Sequence, residues 1–267
     1  NNMIPDSPLP SAYGYDTYGA FNCAGEQMPV HEDAQHAIRF IEKSHREQKP
    51  FFINLWIHEP HTPFHTVPKY RWRFRDLEES DNIYASVLSH ADDRIGEVLD
   101  ALDRLKLTDN TLVIFSSDNG PARASRATEL TLMHDTATGA GYGIGAAKGI
   151  TGDRKGYKAA LFEGGIGVPF IARWPGKIAA GKVDAQSIFS AVDLLPTFCE
   201  LAGAKFPKGY SPDGLSQVKA LQGKGQLLRS KPLFWKMQSS WPIQEARPYH
   251  WVSYAIVHQN WKLMTNR

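Results

Sequence analysis

The chain has 267 residues, of which 42% are apolar and 22% charged, and its 30 basic and 28 acidic residues leave a formal charge of +2. That length and apolar content suit one large α/β domain, or a domain with a smaller appendage, and exclude a disordered or coiled-coil chain. Lys and Arg form no block that would mark a nucleic-acid or membrane-surface patch, and no apolar stretch approaches the roughly 20 residues that span a bilayer.

The first residues, "NNMIPDSPLP", have neither the basic start nor the apolar stretch of a signal peptide, so any export signal is expected outside these residues. Residues 1 to 30 are rich in Pro, Gly, Tyr and Asn without periodicity and predict irregular structure; Cys23, in "FNCAGEQ", has no activating neighbour. "HEDAQHAIRFIEKSH" then predicts a helix, with Ala34, Ala37, Ile38 and Ile41 at helical spacing. After "QKP", the run "FFINLWI" at 51 to 57 predicts a strand.

The strand ends in "HEPHTPFH", which carries His58, His61 and His65. A zinc-protease helix needs H-E-x-x-H, because ligands four apart share a helical face. Counting from His58 and Glu59, the second histidine position holds Thr62, and Pro60 and Pro63 break any helix. The motif therefore fails, and what remains is a proline-kinked loop.

From Asp81 to Leu105 the spacing of Ile83, Val87, Leu88, Ala91, Ile95, Val98, Leu99 and Leu102 predicts a long amphipathic helix. Asp92 and Asp93 fall on its solvated face. "TLVIFSS" at 111 to 117 is a continuous apolar and β-branched run, of the kind buried on both faces of a parallel sheet, so strand, helix and strand form a predicted βαβ unit. The segment from 121 to 156, rich in Gly, Ala and Thr, predicts a long loop serving a site. "VPFIARWPG" predicts a further strand, and Asp193 to Ala202 a helix whose Leu194, Leu195, Phe198 and Leu201 mark an apolar face, with Cys199 expected as a buried inert thiol. Beyond residue 205, "KPLFW", "YHWVSYAIV" and "WKLMT" predict a small antiparallel sheet.

Ligands of open α/β sheets bind beyond the carboxyl ends of strands. After "TLVIFSS" come Asp118, Asn119 and Gly120: two hard oxygens suited to Ca²⁺ or Mg²⁺, then a glycine able to turn the chain, although D-N-G is also an ordinary turn signal. In "GYKAALFEGG", Lys158 stands ahead of a Gly-Gly pair as a compact positive charge, able to meet an anionic oxygen or simply to face solvent.

Taken in order, "PFFINLWIHEPHTPF", "LTDNTLVIFSSDNGP", "GYKAALFEGGIGVPFIARWPG" and "VDLLPTFCELAG" resemble the central and later motifs of the sulfatases of the alkaline-phosphatase superfamily, over roughly residues 35 to 205, with a weaker echo in "WKLMTN". The resemblance implies an alkaline-phosphatase-like α/β sandwich with a mostly parallel central sheet. Residues 1–205 would be the later part of its α/β domain, and 206–267 part of a small antiparallel subdomain. It implies that Asp118 and Asn119 help hold a divalent cation, Ca²⁺ before Mg²⁺, that Lys158 contacts the sulfate, and that His61 of the H-x-P loop stands near the bridging oxygen. His58 and His65 receive no role.

Family members also use a cysteine or serine in C/S-x-P-x-R, oxidised to formylglycine, as nucleophile. No such motif occurs here, since Cys23 is followed by Ala24, Gly25, Glu26 and Gln27. The early Asp-Asp ligands and the G-K-W-H pattern are absent too, and Gly167 stands where relatives commonly carry arginine. The chain is therefore expected to be the later part of a longer sulfatase, inactive by itself, rather than a nucleophile-less relative or one half of a two-chain enzyme. The expected substrate is a sulfated small molecule or glycan, with formylglycine supplied upstream and a periplasmic, secreted or lysosomal setting. A phosphate or phosphonate ester hydrolase and a non-catalytic sulfated-glycan binder are the alternatives, and Tyr142, Trp241 and Trp251 are candidate stacking residues or packing anchors.

Overall fold

The computed structural model describes residues 8–19, 29–123, 130–135, 138–224, 229–237 and 252–266. In chain order its main elements are α1 (Asp33–Arg46), α2 (Pro68–Arg73), α3 (Glu79–Arg104), β1 (Val113–Ser116), β2 (Leu132–Asp135), β3 (Gly139–Tyr142), α4 (Glu163–Ile166), β4 (Phe170–Arg173), α5 (Leu194–Ala202), α6 (Val218–Leu221), β5 (Leu233–Lys236), β6 (Tyr254–His258) and β7 (Trp261–Thr265). They fall into two compact units, one of residues 1–108 and 122–150, the other of 109–121 and 151–267.

In the first unit the two predicted helices form where their apolar periodicity places them. α1 buries Ala34, Ala37 and Ile41, and α3 buries Ile83, Val87, Ala91 and Leu102, so each turns one stripe inward. Asp92 and Asp93 face solvent, as expected of a polar helix face. Phe64, Ile83, Val87, Ala146 and Ala147 make the core beneath α3.

The run 51 to 57 is extended in one sense only. Exposure alternates along it, with Phe52 and Trp56 outward, and Trp56 Nε1 donates to Asn54 Oδ1 at 2.6 Å on the same side. No ladder to another described residue accompanies it, so it is not a strand: pairing requires a neighbour that apolar periodicity alone does not provide. The predicted loop 121 to 156 departs in the other direction, because it contains the antiparallel β2–β3 hairpin. Backbone bonds of Phe64 with Tyr142, at 2.8 and 3.0 Å, staple this hairpin to the histidine loop, and a Cβ on Gly141 would stand 2.8 Å from the Pro63 side chain. Tyr142 is thus a packing anchor, with the Arg71 guanidinium 5.8 Å from its ring. Trp241, Trp251 and Cys23 lie outside the described residues.

In the second unit β1 pairs antiparallel with β4, and β5, β6 and β7 form the expected antiparallel sheet. β1 is not buried on both faces. Val113 and Ile114 are half-buried while Phe115 and Ser116 are exposed, because its ladder has a single partner strand among the described residues. Leu161, Val252 and Ala255 form the core of this unit, flanked by Phe162, Ile166, Trp235, Met237 and Met264.

α5 buries Pro196 and Thr197 rather than the predicted face, leaving Leu195 exposed and Cys199 a free, half-buried thiol. A buried polar network draws that other face inward: the Thr197 hydroxyl donates to Asp193 O at 2.6 Å and accepts the Gln217 N–H at 3.0 Å. No helix among the described residues is long and apolar enough to cross a membrane.

Candidate active-site residues and a histidine–glutamate cluster

The second unit brings the Asp118–Asn119–Gly120 loop and the Lys158 segment together. The Lys158 N–H donates to Pro121 O at 2.8 Å, and the Gly120 N–H donates to Gly165 O at 2.8 Å. Gly120 is needed for close approach rather than for a turn. Its φ is not positive, but a Cβ there would lie 1.8 Å from Gly164 O. Gly164 and Gly165 are constrained alike, their would-be Cβ atoms falling 2.3 Å from Gly156 O and 2.1 Å from Ala160 O, which explains why the loop carries a Gly-Gly pair.

Asp118 is exposed, and its carboxylate has no hydrogen-bond partner among the described residues. The Asn119 amide nitrogen donates to Gly120 O at 2.8 Å, which leaves its carbonyl oxygen for another partner. Two available hard oxygens at one strand end fit a Ca²⁺-type ion. The half-buried Lys158 ammonium pairs with no carboxylate among the described residues. Glu163, five positions on, is taken by Lys262 at 2.6 Å. At Gly167 the Arg154 Nη1 donates to the carbonyl oxygen at 2.7 Å, so a guanidinium does stand beside this position, brought from another part of the chain.

His61 belongs to the first unit, on the exposed part of the proline loop. Its Nδ1–H donates to Thr62 O at 2.7 Å, which fixes the neutral tautomer and leaves Nε2 uncommitted. His61 is also the outer end of a row of imidazoles. His58 lies 5.9 Å from it ring to ring, His65 5.6 Å from His58, His31 6.1 Å from His65, and His90 4.3 Å from His31. The His58 Nε2–H donates to Pro63 O at 3.2 Å, and burial holds the ring below the usual histidine range.

The inner end of this row was not legible from motifs. Glu59, with a fully buried side chain, places Oε1 2.8 Å from His31 Nδ1 and 3.9 Å from His90 Nδ1. The close pair is an ion pair whenever the His31 imidazole is protonated. The other carboxylate oxygen accepts from Arg94 Nη2 at 2.5 Å, and Arg94 Nη1 donates to Asp33 at 2.6 Å. Local structure delivers each group: His31 lies two residues before α1, Asp33 opens it, and His90 and Arg94, four apart, share a face of α3.

Burial pushes the Glu59 carboxyl up, but the neighbouring His31 ring and the Arg94 charge outweigh it and hold it at about 2. Burial, aided by the charges of His31 and Arg94, pushes His90 down to about 4, so its imidazole is neutral at pH 7. At Asp33, burial outweighs the Arg94 charge and raises the carboxyl.

A sequence model of the sulfatase family matches residues 2–204. The chain belongs to the sulfatase family. It is 32% identical over 222 residues to the N-acetylgalactosamine-6-sulfatase of Mus musculus, covering 83% of this chain and 38% of that protein. Against the N-acetylgalactosamine-6-O-sulfatase of Bacteroides thetaiotaomicron the figures are 31% over 186 residues, 68% and 32%. The crystal structure of Ps i-CgsB in complex with k-i-k-neocarrahexaose superposes with a TM-score of 0.70 at 25% identity, over 90% of this chain and 47% of that one. Solved sulfatases are thus the structural neighbours of this sulfatase chain, and the fold is of the alkaline-phosphatase-like α/β class. The chain spans less than half the length of each of these relatives.

Proposed function

We propose that the full-length protein hydrolyses sulfate esters of carbohydrates, with Lys158 binding a sulfate oxygen, His61 protonating the departing alkoxide, and Asp118 and Asn119 holding a divalent cation. The observation that carries the reading is a family match over most of the chain, combined with backbone bonds that join the segment of Lys158, whose ammonium pairs with no carboxylate among the described residues, to the loop that follows Asp118 and Asn119. The names of the relatives, which specify N-acetylgalactosamine sulfates and a carrageenan-type oligosaccharide, support a glycan substrate.

A sulfate ester repels nucleophiles until its oxygens are neutralised, and its leaving group needs a proton. Lys158 supplies a compact positive charge with three donors. His61, with Nδ1–H committed to Thr62 O, presents Nε2, and a proton held there can pass to the bridging oxygen. Calcium, favoured over magnesium because a carboxylate beside an amide oxygen suits its larger and less regular coordination shell, would add charge neutralisation at the sulfate. The nucleophile, formylglycine in C/S-x-P-x-R, is to be found in sequence outside these 267 residues, since that motif does not occur among them.

The test is turnover of an aryl sulfate by the chain joined to its upstream sequence. Lys158→Ala and His61→Ala should each lower kcat/KM by about 10²-fold or more, and the 267 residues alone should show little activity. Unchanged rates in both variants, or faster turnover of the matching aryl phosphate, would overturn the assignment.

A further inference from the structure

We propose that His31, Glu59 and His90 form a binding site for a divalent transition-metal ion, with zinc the best chemical match. One ligand atom from each residue lies within 4.8 Å of the others. A four-coordinate zinc with bonds of about 2.0–2.1 Å needs donors about 3.3 Å apart. The observed separations from Glu59 Oε1, 2.8 Å to His31 and 3.9 Å to His90, bracket that distance, and the histidine ligand atoms lie within 4.8 Å of each other, so side-chain shifts of up to about 1.5 Å complete the geometry.

Three further observations point to a ligand. His31 Nδ1, Glu59 Oε1 and His90 Nδ1 are all buried without a hydrogen-bond partner among the described residues, and the Glu59 side chain is 0% exposed. Buried polar atoms normally have partners. Secondly, Glu59 is held from behind: Arg94 binds Oε2 and is itself held by Asp33, the kind of outer support that orients a ligating carboxylate. With His31 neutral, as a ligand must be, Asp33 and Glu59 together carry one more negative charge than Arg94, which offsets part of the ion's charge. Thirdly, His31 sits at φ 76°, in the left-handed region, just ahead of α1, with its Nδ1 2.8 Å from Glu59 Oε1.

Two imidazoles and one carboxylate select zinc, nickel or copper over calcium, so the site differs in chemistry from the Asp118–Asn119 pair and does not depend on the sulfatase reading. The ion would tie the loop bearing His61 to the start of α1 and to α3.

The experiment uses the 267-residue chain stripped with a chelator and titrated with Co²⁺. Visible bands of four-coordinate cobalt, one ion per chain, displaced by Zn²⁺ and not by excess Ca²⁺, are the expected result. His31→Ala and His90→Ala should each weaken binding by about tenfold or more, while His134→Ala, on exposed β2, should not. Circular dichroism checks that the variants fold. If they do not, zinc-edge anomalous density in wild-type crystals should fall between the three side chains. Absence of the cobalt bands, displacement by Ca²⁺, affinity unchanged in both histidine variants, or density elsewhere would overturn the proposal.

Discussion

Each of the two units hides one arginine against an aspartate, and the two arrangements differ in what is left over. In the second unit Asp193 is fully engaged. One oxygen accepts the Leu215 N–H at 2.8 Å, and the other accepts the Ser190 N–H at 2.9 Å, Arg229 Nη1 at 2.5 Å and Gln217 Nε2 at 3.3 Å. In the first unit Arg94 spans Asp33 and Glu59, yet Glu59 Oε1 and two imidazole nitrogens face one another with no hydrogen bond to any other described group. A charge pair surrounded by donors holds a fold together. One whose far side carries uncommitted lone pairs has capacity for a ligand, and that contrast separates the two units more sharply than burial does, since Arg94 and Arg229 are 4% and 2% exposed.

The most forceful way to break the comparison is to remove each arginine in turn. Arg229→Met strands Asp193 and should cost about 3–5 kcal/mol in urea unfolding. Arg94→Met strands Asp33 and Glu59 and should cost a similar amount in metal-free protein. If Arg94→Met costs less than about 1 kcal/mol, its carboxylates are not relying on it, and the parallel fails.

The asymmetry also marks what could be read from sequence. α1, α3 and the three-stranded sheet follow from periodicity, a local signal. The loop at 51 to 58 shows its limit: side-chain alternation is encoded in the run, but a hydrogen-bonded neighbour is not. Gly120 was legible as important for the wrong reason, because a 1.8 Å clash with a backbone oxygen more than 40 residues away leaves no local trace. The H-E-x-x-H pattern fails at Thr62, yet Glu59 meets histidines from two other segments. One signal was available. Arg94 falls three positions after Ala91 and seven after Val87, within the buried stripe of α3, where a charged residue requires a partner.

A smaller effect sharpens the comparison from the second unit. Gly120→Ala drives a methyl into Gly164 O and should cost about 1–3 kcal/mol, with the loop that carries Asp118 and Asn119 displaced. Because the strain arises among residues of the second unit, cobalt affinity at His31, Glu59 and His90 should stay as in the unsubstituted chain. A parallel loss of that affinity would show that the cluster draws on Asp118 or Asn119, contrary to the separation drawn here.

The smallest effect probes the outer edge of the first unit's network. The Tyr70 hydroxyl donates to Asp93 at 2.7 Å, its ring lies 5.1 Å from that of His90, and burial together with the Asp93 charge pushes the phenol up to about 12. A folded value above the unfolded value of about 10 means that the contribution is complete below pH 10 and is lost as pH rises towards 12. Tyr70→Phe should therefore cost roughly 1 kcal/mol at pH 8, and wild type and variant should converge in stability across pH 10 to 12. Curves that remain parallel through that window would mean that the hydroxyl is not held neutral by Asp93, and that the network around His90 ends at the imidazole.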